Sequence, residues 1–153
     1  MGPWEIHPAL VHFPIAFLVG GVALDLYAAW RGRPELALAA SRLIAAGVLT
    51  GIVAAGAGAL AYFTVPGMHA GWAHQAIFWH LGLAAASLVL LGGVALSRRG
   101  EAASSPSLEV RLLGIFAVAL LAFAAAIGGE VVYHAGMGID PYVIIIPTAP
   151  PSG

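Results

Sequence analysis

Cysteine and lysine are both missing from this 153-residue chain, and charge of either sign is scarce. Without cysteine the chain alone can hold no disulfide, thiolate zinc site or iron–sulfur cluster. Without lysine, all six cationic side chains are arginines, set against seven acids. A net charge of −1, with no basic tract, leaves nothing to grip a phosphate backbone, which excludes nucleic-acid binding. Charged residues make up only 8% of the chain, where a soluble domain carries roughly 25%. What fills their place is apolar: 61% of residues are hydrophobic, and the mean hydropathy is +0.95.

The apolar residues fall into four runs, at about 8–30, 35–64, 72–97 and 108–134. Each is near or beyond the ~20 residues a helix needs to cross the hydrocarbon. The first is too long for a signal peptide, lacks a basic leader and keeps polar residues inside it, so it reads as a true span. The links are short: "RGRP" (31–34), "VPGMHAG" (65–71) and "RRGEAASSPS" (98–107). Short links make successive helices antiparallel, which predicts an all-α polytopic membrane protein, an up-down-up-down four-transmembrane-helix bundle over residues 1–135. The remainder, 136–153, is a Gly- and Pro-rich tail too short to span, whose "YVIII" segment suits the interface or a partner. No long repeat or low-complexity tract stands out.

All the arginines sit at one end of this bundle. Arg31, Arg33 and Arg42 lie in or beside the first link, and Arg98, Arg99 and Arg111 flank the third. The other end, with both termini and the second link, has no Arg or Lys. The positive-inside rule then places both termini outside the cytoplasm.

The six histidines do the opposite. His7 and His12 open the first helix, His69 and His74 lie in or just after the second link, His80 is about two turns into the third helix, and His134 ends the fourth. All belong to the extracytoplasmic half, together with Met1, Met68, Met137, Glu5, Glu130 and Asp140. With Pro8 at the first helical position, His12 lies ~6 Å below the helix start and His80 ~10–13 Å below the start of its own helix. Glu130 and His134 are i,i+4, one above the other on one helix face. Imidazole and carboxylate groups at membrane depth are costly and point into the bundle, so His12, His80 and Glu130, with His74 and His134, are expected to converge in the core.

Each feature also has a plainer reading. His7 and His69 suit an interfacial position, and a core histidine is often satisfied by a backbone carbonyl. Asp25 is expected to pair with Arg42 or Arg111. Trp4, Trp72, Trp79, Tyr62, Tyr133 and Tyr142 fall toward the histidine end as an aromatic belt, and Trp79 beside His80 equally suits the flank of a flat cofactor. Gly47, Gly51, Gly56 and Gly58 on the second helix serve either close helix packing or room for a planar ligand. Pro14 removes a backbone hydrogen bond from the first helix and predicts a bend near the histidines.

Three blocks carry a resemblance. "IHPALVHFPIAFL" (6–18), "WHLG" (79–82) and "GGEVVYHAGMGI" (128–139) resemble the small bacterial membrane proteins classed as domain of unknown function 2231. That family typically opens on His-Pro-x-Leu-Val-His-Phe-Pro, carries a histidine in its third helix and ends on a Gly-Gly-x-Leu-Val-Tyr-x-His-Gly-like block. Carried over by position, the motif histidines are His7, His12, His80 and His134, while His69 and His74 match no motif. Ala135 stands where a glycine usually follows the last histidine. The resemblance covers the chain up to Ile139 and implies a bacterial inner membrane location. It also implies the company of Rieske-type or cytochrome-c-type proteins, and hence redox chemistry, by association only.

Three functional expectations follow. In the first, His12 and His80 ligate the iron of a haem b between diagonal helices. His7 and His134 then form a second pair or outer partners that fix a ligand's tautomer, and electrons pass from quinol to an extracytoplasmic acceptor, with Glu130 taking a proton. Haem propionates would have no Arg or Lys to pair with at this end. In the second, the histidines with Glu130 hold non-haem Cu, Fe or Zn. In the third, the chain is a small accessory subunit of a respiratory or photosynthetic complex. A stand-alone nucleophilic enzyme is disfavoured, because no Ser or Thr sits beside a histidine with an orienting acid.

Overall fold

A computed structural model of the chain describes residues 3–65, 71–100 and 105–137. Among them there is no strand. Helices α1 (Ile6–Leu10) and α2 (His12–Arg31) follow a single turn of 3₁₀-helix at Pro3–Glu5 and together make one span, and α3 (Pro34–Thr64), α4 (Gly71–Ser97) and α5 (Leu108–Tyr133) make the other three. All four are long and apolar enough to cross a membrane, and the protein is an all-α polytopic bundle.

Local chemistry sets the ends. Helix α2 stops at Gly32, whose φ of 61° is left-handed, and the Gly32 N–H turns back onto the Ala28 and Ala29 carbonyls. Two residues later Pro34 opens α3 at a position where its missing N–H is harmless. Ser107 caps α5, its Oγ accepting from the Val110 N–H. The first span starts at Ile6 rather than Pro8, and at Val11, where α1 gives way to α2, the backbone stays helical (φ −62°, ψ −22°), with Val11 N–H on the His7 carbonyl and Ile15 N–H on the Val11 carbonyl. Pro14 marks this junction: it has no N–H for the carbonyl four residues back, that of Leu10, the last residue of α1.

The four spans form two antiparallel hairpins, α2 packed along α3 and α4 along α5. Smaller contacts, α3 with α4 and α2 with α5, join the hairpins, so the first and third spans lie on a diagonal. Leu18, Val22, Ile44, Leu91, Val94 and Ala117 form the core. Glycine lets the helices approach: a β-carbon on Gly47 would stand 2.6 Å from the Leu18 side chain, and one on Gly51 would stand 2.8 Å from that of Leu88 across the hairpins. In lipid such contacts hold helices by van der Waals packing rather than by expelling water. The outer surface stays apolar, with Phe63, Val89 and Phe123 among its most exposed side chains.

The two hairpins repeat one another. His7, Leu18 and Asp25 of the first span correspond, at one constant shift, to His80, Leu91 and Arg98 of the third. Ser41, Gly47, Ala54 and Gly58 of the second correspond likewise to Arg111, Ala117, Ala124 and Gly128 of the fourth. The interactions follow the same exchange: Arg98 Nε donates to Ser41 Oγ at 2.8 Å while Arg111 Nε donates to Asp25 Oδ2 at 3.2 Å. This internal two-fold relation was not apparent in the sequence.

Candidate functional site

The histidine end holds one repeated device. His7 Nδ1 donates to the Ala54 carbonyl at 2.8 Å, and His80 Nδ1 donates to the Ala124 carbonyl at 2.8 Å. A carbonyl oxygen only accepts, so Nδ1 carries the proton and Nε2 of the neutral ring keeps its lone pair. One turn beyond each carbonyl is a glycine against which the ring lies. A β-carbon on Gly58 would stand 2.9 Å from His7 Cε1, and one on Gly128 would stand 2.9 Å from His80 Cε1. Each imidazole is therefore fixed in tautomer by a carbonyl of the neighbouring helix and admitted by an absent side chain.

The two rings meet across the diagonal. Their centroids are 6.2 Å apart and their planes stand at 82°. Both are half-buried. His80 lies about 13 Å along its helix from Gly71, at 1.5 Å per residue.

The remaining sequence candidates do not join this pair. His12, expected opposite His80, is exposed. Five residues beyond His7, at ~100° per residue, it is turned about 140° away from the inward face of its span. His7, Pro14, Leu18 and Asp25 share that inward face. His74 lies edge-on to Phe78, ring centroids 4.9 Å apart. His134 Nδ1 and Glu130 Oε2 are 2.7 Å apart in the i,i+4 relation the sequence indicates, but both are exposed. Glu130 lines an open cleft of about 320 Å³ with Trp72, Gln75 and Trp79, on the exposed side of α4 and α5. His69, Met1, Met68 and Asp140 lie outside the described residues, as does the chain from residue 138 onward. Among the described residues no three or more His, Asp or Glu side chains gather as a metal site.

Further along the same interior, at the arginine end, sits a buried ionic network. Arg98 Nη2 donates to Asp25 Oδ1 at 2.8 Å, with side chains 1% and 3% exposed. The same nitrogen reaches the Ala37 carbonyl at 3.1 Å, which also accepts from Ser41 Oγ. Of the two expected partners of Asp25, Arg111 takes part and Arg42 remains exposed. Arg98, placed by sequence only as an orientation charge, is the principal one. The other end of the first link carries its own aromatic anchor, Trp30 with Tyr27 edge-on and the Arg31 guanidinium 5.5 Å from its ring centre.

A family model described as "Predicted membrane protein (DUF2231)" matches residues 3–141. No curated protein and no solved structure matches the chain.

Proposed function

We propose that this chain, which belongs to the DUF2231 family of predicted membrane proteins, is a membrane-embedded electron-transfer protein that holds a b-type haem between His7 and His80. The observation that carries this reading is the separation of the two anchored rings, 6.2 Å between centroids. An imidazole nitrogen sits roughly 2 Å from the metal it ligates and about 1 Å from its ring centre, so two rings on opposite sides of one ion stand roughly 6 Å apart. The Nδ1–H to carbonyl bonds are the outer contacts that metal-ligating histidines use to fix tautomer and orientation.

The donor set also favours haem over a bare ion. Haem would bring four nitrogens of its own and would need only two ligands from the protein, whereas zinc takes three or four from the protein. Two imidazoles are what the core offers. Trp4 Nε1 adds a donor at this end, buried and without a hydrogen-bond partner among the described residues. It suits a propionate where arginine is missing. A haem held by His7 and His80 would supply one-electron chemistry. The protein's part is to present two rigid Nε2 donors and an apolar surround.

The charge asymmetry favours a bacterial inner-membrane orientation with the histidine end outside. Quinol reaching the open cleft beside Glu130 is then the natural donor within the bilayer, and an extracytoplasmic cytochrome-c-type or Rieske-type protein the acceptor. The same device serves equally inside a larger respiratory or photosynthetic complex.

The absorption spectrum of protein expressed with ample haem tests the reading. A Soret band with a reduced α-band is expected. His7→Ala and His80→Ala each abolish the bis-imidazole spectrum, while His12→Ala leaves it intact. A colourless wild-type protein, or a spectrum that survives His7→Ala, overturns the assignment. Colourless protein carrying one copper per chain transfers the two imidazoles to Cu(I) instead.

A further inference from the structure

The arginine end has a feature that the histidine site does not use. A groove of about 480 Å³ runs between α3 and α4. Its floor is made of small residues, Gly92 and Ala95, and its walls are Leu49 and Leu96. Arg42 and Arg99 stand at the groove, both exposed.

Depth makes these guanidinium groups costly. Helix α3 has 31 residues, about 46 Å at 1.5 Å per residue, against a hydrocarbon core of ~30 Å. With the excess shared between the ends, Arg42 lies roughly 4 Å inside the hydrocarbon boundary. A cation at that level needs water or an anion. Among the described residues no ion pair reaches Arg42 or Arg99: Asp25 is taken by Arg98 and Arg111, and Glu35 by Arg33. Two guanidinium groups with no ionic partner among the described residues thus stand over an apolar trough at the edge of the hydrocarbon, within side-chain reach of the headgroups. The chemistry complementary to that pattern is one phosphate joined to an alkyl chain.

We infer that the α3–α4 groove is a binding site for an anionic phospholipid, its phosphate held by Arg42 and Arg99 and one acyl chain laid over Gly92 and Ala95. Basic pockets between membrane helices recognise anionic headgroups by this combination. Zwitterionic lipid offers the same chain without the net charge, so the arginines confer preference and the trough confers residence.

The test is native mass spectrometry of the full-length chain released from mild detergent, with phosphatidylglycerol and phosphatidylcholine of identical acyl chains added in equal amount. Retention of phosphatidylglycerol is expected to exceed that of phosphatidylcholine roughly thirtyfold, on the scale of the attraction of two arginines near a surface. Arg42→Gln with Arg99→Gln brings the two lipids to parity. Gly92→Leu has open space for its β-carbon and fills the trough, so it lowers retention of both lipids several-fold with the helices intact by circular dichroism. Equal retention by the wild-type protein, or an undiminished preference in the double-arginine variant, overturns the inference. Displacement of the lipid by millimolar inorganic phosphate alone also overturns it, since that marks a simple anion site.

Discussion

Asp25 and Arg98 occupy the same position in the two halves of the bundle and bind each other, Oδ1 to Nη2 at 2.8 Å. The repeat therefore does not place like against like. It places opposite charges on the internal axis, where the partner of each side chain is its own counterpart. Arg98 also draws on Ser41 and Ala37, and Asp25 on Arg111, so each charge of the pair has partners besides the other. A buried pair of this kind is strongly missed only when one half is removed. Asp25→Asn or Arg98→Met is expected to cost about 3–5 kcal/mol, and the combined substitution clearly less than the sum. Reversible unfolding in mixed detergent micelles measures both. Equal and additive losses would show that the two residues act separately.

Glycine makes the histidine device specific. Gly58→Ala and Gly128→Ala each place a carbon 2.9 Å from an imidazole that is tied to a carbonyl one turn away. The ring has to leave its bond or the helices have to part, at about 1–3 kcal/mol. Gly56, on the same helix, has nothing within 4 Å of its β-carbon position, and Gly56→Ala is expected to leave the melting temperature unchanged or raised. If all three variants melt alike, the rings are not seated as described.

Most of the architecture could be read from the chain before folding, because bilayer thickness converts apolar run length directly into helices. The four spans occupy the four apolar runs, and the short links make neighbours antiparallel. The site was harder to read. Depth along the chain places His7, His12 and His80 at the same end, but depth says nothing about facing, and the first span faces inward with His7. Counting seven, eleven and eighteen residues from His7 to Pro14, Leu18 and Asp25 would have exposed that face. The internal repeat stays hidden for a related reason. Its halves share His, Leu, Ala and Gly at a few positions, while Asp25 against Arg98 and Ser41 against Arg111 look unrelated until their contacts are seen. One signal was present: an Ala-x-x-x-Gly step recurs at 54–58 and 124–128, and it marks the seat of both imidazoles.

Hydroxyl groups on the interior faces carry unequal weight. Ser87 Oγ donates to the Ala117 carbonyl at 2.8 Å across α4 and α5, but that carbonyl retains its own helical hydrogen bond. Ser87→Ala is expected to cost only about 0.6 kcal/mol, the usual size of an interhelical bond in a membrane. Ser41 Oγ instead accepts from Arg98 Nε, and its removal leaves a buried charged donor short of a partner. Ser41→Ala is expected to cost roughly 1.5–3 kcal/mol. The same unfolding assay ranks the two, and a larger loss for Ser87→Ala would contradict the network drawn here.

Orientation follows from the same segregation of charge. Every arginine belongs to the end of the bundle where α2 meets α3 and α4 meets α5, and none to the end with His7 and His80. Translocation discriminates against Arg-rich short links, so the proposed orientation, with the arginine end on the side of synthesis, predicts a definite reporter pattern. A C-terminal reporter enzyme that matures only outside the cytoplasm is expected to be active, and one inserted in the link between Arg31 and Pro34 inactive. Buried Arg98 and half-buried Arg111 are committed to Asp25, which leaves Arg31, Arg33, Arg42 and Arg99 as the exposed arginines at that end. Replacing these four with glutamine weakens the bias without touching the ionic core. Such a chain is expected to insert in both directions, with reporter activity at both positions. Unchanged single-sided activity would mean that sequence determinants other than arginine hold the topology.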